Sequence, residues 1–502
     1  MPRASNPSIL GLATIAIVSL ATACDAGKSG TETASAAPAG ASGARQAAVP
    51  ITSVSDEARK LYLEGRALSE QLRAHDGRQL YQQAAAKDSS FALAHYQLAI
   101  NAATAKDFFE HLKQAVALAG NVSEGERLMI LALDAGGNAR PAQALEYQEE
   151  LVAKYPGDER AHFALGGAHF GRQEYDKAIA EYRKATEINP EFSPAYNLLG
   201  YAYRAIERFG DAENAFKKYI ELIPGDPNPY DSYAELLMKT GRFDESVAQY
   251  RKALGVDAHF TPSKVGIATN RMLQGKHPEA AALMDTLYGA ARDDGDRRTA
   301  LFTKGIILVD AGRTDAAVRE LDQLADFDAD RGDSANMSGD AQLVGDILLN
   351  AGRPDDAAKR YTRALRLVEQ SGLSQDVKQD ARLVDHYNRA RVALAKGDLA
   401  TAKTEAQSYT EGASSRQNIF RLRQAHGLSG TIALKEKQFD TALTHFGEAN
   451  QQDPQVLYWT ALAWQGKGDT ARAKEFAARA ANANILPLAT YAFVREKAKK
   501  IG

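Results

Sequence analysis

The chain has 502 residues, 61 Lys+Arg against 64 Asp+Glu, a formal net charge of −3, 44% hydrophobic residues and one cysteine. This balance excludes a wholly disordered or collagen-like chain and offers no global attraction to nucleic acid or an anionic membrane surface. The single cysteine excludes an intrachain disulfide and a structural thiolate zinc site.

In chain order, residues 1–24 read as an address. Arg3 is the only charge, and an apolar run from Ile9 to Ala23 follows. As a helix that run rises about 22 Å, short of a hydrocarbon core of roughly 30 Å. The segment therefore reads as a secretory signal peptide. Its end, Leu20-Ala21-Thr22-Ala23-Cys24, resembles a bacterial lipobox, in which small residues precede a cysteine that becomes lipidated. Ala21 departs from that pattern, where Leu is commoner, and Ala21-Thr22-Ala23 also fits simple cleavage to a secreted protein. The lone cysteine at this position favours lipidation, because an unpaired thiol suits an oxidising compartment poorly. Residues 25–54 are rich in Ala, Gly, Ser and Thr and are expected to form a flexible linker. Such a tether reaches about 25–30 Å, holding the folded part near a membrane.

From residue 55 onward the chain repeats itself. Residues 161–190 and 195–224 align Gly166 with Gly200, Ala178 with Ala212, Tyr182 with Phe216 and Pro190 with Pro224, each 34 residues apart. Apolar residues at helical spacing, a short polar turn and a second helical run make each unit a helical hairpin. Small residues let its helices approach, and the aromatic is expected to fill the space between neighbouring hairpins.

These residues resemble the tetratricopeptide repeat, whose pattern is W-x2-L-G-x2-Y, then A-x3-F, A and P. His162, Leu165, Gly166, His169, Ala178, Tyr182, Ala185 and Pro190 carry the match in one unit. Tyr196, Leu199, Gly200, Tyr203, Ala212, Phe216 and Pro224 carry it in the next, and Gly430, Ala442, Phe446, Ala449 and Pro454 in a later one. Extending the register places unit starts near 58, 92, 125, 159, 193, 227, 261, 298, 338, 383, 423 and 454. Residues 55–502 form the repeat solenoid, most regular over 125–258 and looser over 261–484. The long stretches 325–339 and 368–381 extend second helices or form surface loops. Residues 485–500 are expected to close the stack as a capping helix with a charged outer face. The resemblance implies an all-α, right-handed superhelical solenoid of about twelve hairpins, with first helices lining a concave groove.

No catalytic or metal-binding motif emerges, and no enzyme activity or cofactor is expected. His162 and His169 lie seven residues apart on one helix but occupy packing positions of the repeat. The acidic groups at 124–126, 293–296 and 326–336 read as solvated connections, not calcium loops. Basic residues form no stripe with interleaved aromatics, so no nucleic acid is expected.

Register carried over from the family assigns groove-facing positions. They are Arg160, Phe163 and Phe170, then Asn197, Tyr201 and Arg204, then Asp231, Glu235 and Met238. Aromatics beside Arg and Asn suit a surface that grips an extended peptide or helix. The residues with which co-chaperone members clamp a terminal carboxylate are replaced by Phe163, Gly167 and Leu198. The sequence thus reads as a non-catalytic adaptor that binds protein partners in its groove. A lipid on Cys24 would anchor it in the bacterial envelope, facing the periplasm or cell exterior. Two alternatives are a glycan-binding accessory of polysaccharide export or uptake, and a regulatory subunit of a separate enzyme. Exposed Trp platforms would favour glycan; the two tryptophans, Trp459 and Trp464, both fall in the last unit.

Overall fold

Helix caps set the rhythm of the structure. Thr104, Asp158, Ser374, Asn418, Asp453 and Asp469 each accept a backbone N–H of the helix they open, satisfying donors that have no partner within the helix. Turns inside hairpins pass through a left-handed residue, as at Gly241 and Gly275, where glycine carries no Cβ penalty. The computed structural model describes residues 48–70, 74–102, 104–292, 294–329 and 333–501. Cys24, the signal peptide and most of the linker lie outside these residues.

Among the described residues the chain is all-helical, with no strand. Six pairs come first: α1 (Asp56–Glu70) with α2 (Ala74–Lys87), α3 (Ala92–Ile100) with α4 (Ala105–Leu118), α5 (Glu124–Gly137) with α6 (Pro141–Lys154), α7 (Glu159–Gly171) with α8 (Tyr175–Ile188), α9 (Ser193–Ala205) with α10 (Phe209–Leu222), and α11 (Asn228–Lys239) with α12 (Phe243–Val256). Six more follow: α13 (Thr261–Leu273) with α14 (His277–Gly289), α15 (Asp294–Asp310) with α16 (Thr314–Ala329), α17 (Ser334–Asn350) with α18 (Pro354–Glu369), α19 (Gln375–Lys396) with α20 (Leu399–Ser415), α21 (Ile419–Lys435) with α22 (Phe439–Glu448), and α23 (Pro454–Gly466) with α24 (Thr470–Ala481). A last helix, α25 (Ala489–Ala498), has no hairpin partner. The wider spacing of the later units goes into helix length. Helices α15 to α21 run 16 to 22 residues, so the expected unit start at 383 falls inside α19.

Glycine and aromatic meet within the hairpin, not only between hairpins. A Cβ on Gly166 would lie 2.5 Å from the Tyr182 ring, one on Gly200 2.5 Å from Phe216, and one on Gly345 2.5 Å from Tyr361. The bare glycine lets the aromatic of the second helix lie against the first helix's backbone. Tyr182 also packs with Leu199 and Ala202 of the next unit, so each aromatic serves both contacts.

Three expectations change. First, the end of the linker is held: the Val49 N–H donates to Asp158 at 2.8 Å, and the Thr52 N–H to Glu126 at 2.8 Å. Second, Glu126 is no solvated loop residue. It is fully buried and completes a capping box with Ser123. Asp296 of the 293–296 group is likewise buried and accepts the Thr261 hydroxyl at 2.5 Å. Third, α25 does more than cover the last hairpin. It packs on α23 and α24 and also turns back against α15 and α17, with Phe493, Val494 and Arg495 buried.

The solenoid meets itself. Ala105 and Phe109 of α4 pack with Val368, Val377 and Ala381, and the Ser374 hydroxyl donates to Asn138 at 2.6 Å. Arg140 pairs with Asp376 at 3.5 Å, Gln173 bonds Asn450, and Lys239 donates to the Ala483 carbonyl at 2.9 Å. The second and third units thus meet the ninth and tenth, and the fourth and sixth meet the end of the stack.

Candidate functional site

First helices of neighbouring units approach one another more closely than second helices do, as α11 with α13, α13 with α15 and α19 with α21. The stack therefore curves with its first helices inside. That inner face over α7, α9 and α11 carries the residues that register assigns to the groove.

At the α7 end, Arg160 Nε donates to Glu70 at 2.7 Å and its guanidinium lies 5.4 Å from the Phe192 ring centroid. Phe163 is half-buried and meets Phe192 edge-on at 5.3 Å. Phe170 meets Tyr175 edge-on at 5.4 Å. These three keep partly accessible surfaces. The next four do not: Asn197, Tyr201, Asp231 and Glu235 are 3%, 1%, 2% and 4% exposed. Tyr201 packs edge-on against Phe216 at 5.2 Å, and Arg204 covers its other side at 4.6 Å. Arg204 then reaches Glu235 on α11 at 3.2 Å, and Asp231 accepts the Ser263 hydroxyl from α13 at 2.8 Å. Arg204 with Glu235 and Asp231 with Ser263 thus form a polar layer that ties α9, α11 and α13 together, leaving Arg160, Phe163, Phe170 and Arg204 as the accessible part of this face. Asn197 Oδ1 is buried and finds no hydrogen-bond partner among the described residues.

The polar layer continues where register loosens. Arg298 pairs with Asp340 at 2.7 Å, Arg391 with Asp346 at 2.6 Å and Arg421 with Asp380 at 2.5 Å. Arg391 lies 5.1 Å from the Tyr387 ring centroid and 6.0 Å from that of Tyr361. Burial works against the Arg391 charge, but the Tyr361 and Asp346 oxygens outweigh it and raise its pKa. Sequence reasoning missed these pairs because their spacing, 41 to 45 residues, follows no repeat motif. A charge recurring on successive first helices is the one signal that could have found them. Lys239, beside this layer, is pushed down to about 8 by burial, with the positive charge of Arg204 adding to the shift.

His162 and His169 are buried and serve packing and hydrogen bonding: Nδ1 of each meets a glutamate, Glu181 at 2.6 Å and Glu174 at 2.7 Å. Trp459 stacks near Phe446 at 6.1 Å, and Arg472 covers Trp464 at 4.3 Å. No group of three or more metal-ligating side chains occurs among the described residues, nor is any described helix long and apolar enough to cross a membrane.

Family profiles for the tetratricopeptide repeat match residues 131–194, 193–226 and 228–260. These segments are tetratricopeptide repeats. They cover α7, α9 and α11, the helices that carry the polar inner layer. Among relatives, Superkiller complex protein 3 of Mus musculus is 26% identical over 138 residues, 28% of this chain and 9% of that protein. Anaphase-promoting complex subunit 3 of Schizosaccharomyces pombe is 25% identical over 196 residues, 39% of this chain and 28% of that protein. Heat shock protein STI1 of Saccharomyces cerevisiae is 29% identical over 103 residues, 20% of this chain and 18% of that protein. The chain spans under a third of the length of these relatives. Among solved structures, the APC/C hetero-tetramer Cut9-Hcn1 is similar at 14% identity and a TM-score of 0.40, over 84% of this chain and 76% of that one. MamA is similar at 25% identity and a TM-score of 0.27, over 30% of this chain and 92% of that one.

Proposed function

We propose that the chain is a non-catalytic scaffold that holds a protein partner, as an extended peptide or a helix, on the inner face of α7, α9 and α11. The partly accessible Arg160, Phe163, Phe170 and Arg204, gathered on the inner face of α7 and α9, carry this reading. They supply the partly desolvated cationic and aromatic contacts that anchor protein ligands. The tetratricopeptide repeats coincide with this face, and two similar proteins are named as members of complexes.

Tyr201 is too deeply packed on Phe216 to serve as a probe of binding alone. Arg160→Gln is the cleaner variant, since it removes the cation while Glu70 keeps Arg66 and Glu159 keeps Asn189. It should leave the thermal midpoint nearly unchanged while weakening partner capture about tenfold, measured by quantitative pull-down from solubilised cells. An unchanged partner profile would sink this surface.

The scaffold is further proposed to sit at a bacterial envelope membrane through a lipid on Cys24. That cysteine lies in the hydrophobic leader's terminal Ala-Thr-Ala-Cys. Cys24→Ala should move the protein from the membrane fraction to the soluble one; fractionation unaffected by the change would remove the anchor.

A further inference from the structure

Helix α25 fills the inner face of the later units as a bound ligand would. Phe493 and Val494 pack among Leu301 and Ile306 of α15 and Leu343 and Ile347 of α17. Tyr491 packs with Met272, Leu273 and Ile307. The next contact is charged. Arg495 is 2% exposed; its Nε donates to Asp310 Oδ1 at 2.8 Å, and a second guanidinium nitrogen bonds the other carboxylate oxygen. Nη1 donates to the Leu273 carbonyl at 3.2 Å, with the Met272 carbonyl also in reach. Those carbonyls belong to the last turn of α13, the negative end of its dipole. His277 Nε2 meets the same Asp310 carboxylate at 2.7 Å. Carboxylate and helix end together form a receptor shaped for one guanidinium.

Packing alone gives no reason for an arginine there. A buried ion pair is a weak source of stability compared with apolar residues of similar volume, and its best-attested use is to fix register or drive a switch. Ten residues are also too few to hold a helix in water, so the helical form of α25 depends on the face it covers. It is joined to the stack through residues 482–488.

We infer that the inner face of α13, α15 and α17 is a receptor for a short helix bearing aromatic and aliphatic residues followed by arginine. In the resting chain α25 occupies it, and a partner protein's helix of the same pattern enters by displacing α25. This deepens the scaffold reading and rests on it. Tethering gives α25 a high effective concentration, so a competing helix binds the unaltered chain weakly, in proportion to the open fraction.

The test uses the full chain and a labelled synthetic peptide of residues 485–501. Arg495→Gln should loosen the resident helix and bind the peptide at least about tenfold more tightly than the unaltered chain. Adding Asp310→Asn should abolish that gain. Equal peptide binding by the unaltered and Arg495→Gln chains would overturn the proposal, as would an Asp310→Asn double variant that keeps the gain. Hydrogen exchange on the unaltered chain guards against a variant that misfolds. Amides of α25 should exchange through a local opening faster than those of α15 and α17, and equal protection of the three helices would also overturn it. If the peptide fails while Arg160→Gln still weakens partner capture, the receptor falls and the scaffold stands. If the peptide binds while Arg160→Gln changes nothing, the face on α7 to α11 falls instead.

Discussion

Asp380→Ala should destabilise the tenth and eleventh units by about 3–5 kcal/mol, the cost of leaving a buried charge without its partner. Arg421 is 4% exposed and Asp380 1%. Arg421 donates to the carboxylate through Nε at 3.2 Å and Nη2 at 2.5 Å, and its remaining arm reaches Gln424 at 2.9 Å. Burial opposes the guanidinium charge, and Asp380 is the largest of the groups that restore it, ahead of Tyr409, so removing Asp380 leaves the buried charge without a carboxylate. Replacing both residues together, Asp380→Leu with Arg421→Met, should recover most of the loss, because neither member is then left unpaired. A double-mutant cycle followed by thermal melting reads both results. A single-variant loss below about 1 kcal/mol would mean that water or Gln424 compensates, and the pair would lose its role in joining α19 to α21.

Gly200→Ala should be costly where Gly210→Ala is not. On α9, the new Cβ would fall 2.5 Å from Cε1 of Phe216, whose ring is fully buried. Ring or helix must shift, and overpacking of this kind costs about 1–3 kcal/mol. On α10, a Cβ at Gly210 meets nothing within 4 Å, so the same substitution should stabilise by a few tenths to about 1 kcal/mol through lower unfolded-chain entropy. Because a solenoid couples mainly to nearest neighbours, hydrogen exchange should show the Gly200 damage confined to α9, α10 and the adjoining helices. Two variants with the same protection pattern would show that the glycine–aromatic contact does not govern the hairpin.

The groove residues divide along the same line. Register assigns Arg160, Phe163 and Phe170 to α7, where they keep accessible surface, but it could not say that Tyr201, Asp231 and Glu235 would be buried. A position in the repeat names a helix face; how far water reaches it depends on how tightly that face curves. Arg204 reaching Glu235, and Asp231 reaching Ser263, are contacts between units whose partners follow no fixed motif. The same limit hid α25, which reads in sequence as an amphipathic end piece.

What the sequence by itself determined is the local unit: small residue, aromatic and turn recur at 34 residues over the early repeats, and helical hairpins follow from contacts within one or two units. What the tertiary structure decided is how the units meet again. Ser374 finding Asn138, Lys239 finding Ala483 and Arg495 finding Asp310 are contacts 185 to 244 residues apart. Small rotations between successive units add up along the stack, and only their sum brings those side chains together. No periodicity records that sum, so the hairpin is legible in any one repeat, while the closed stack and its occupied inner face exist only once all twelve are in place.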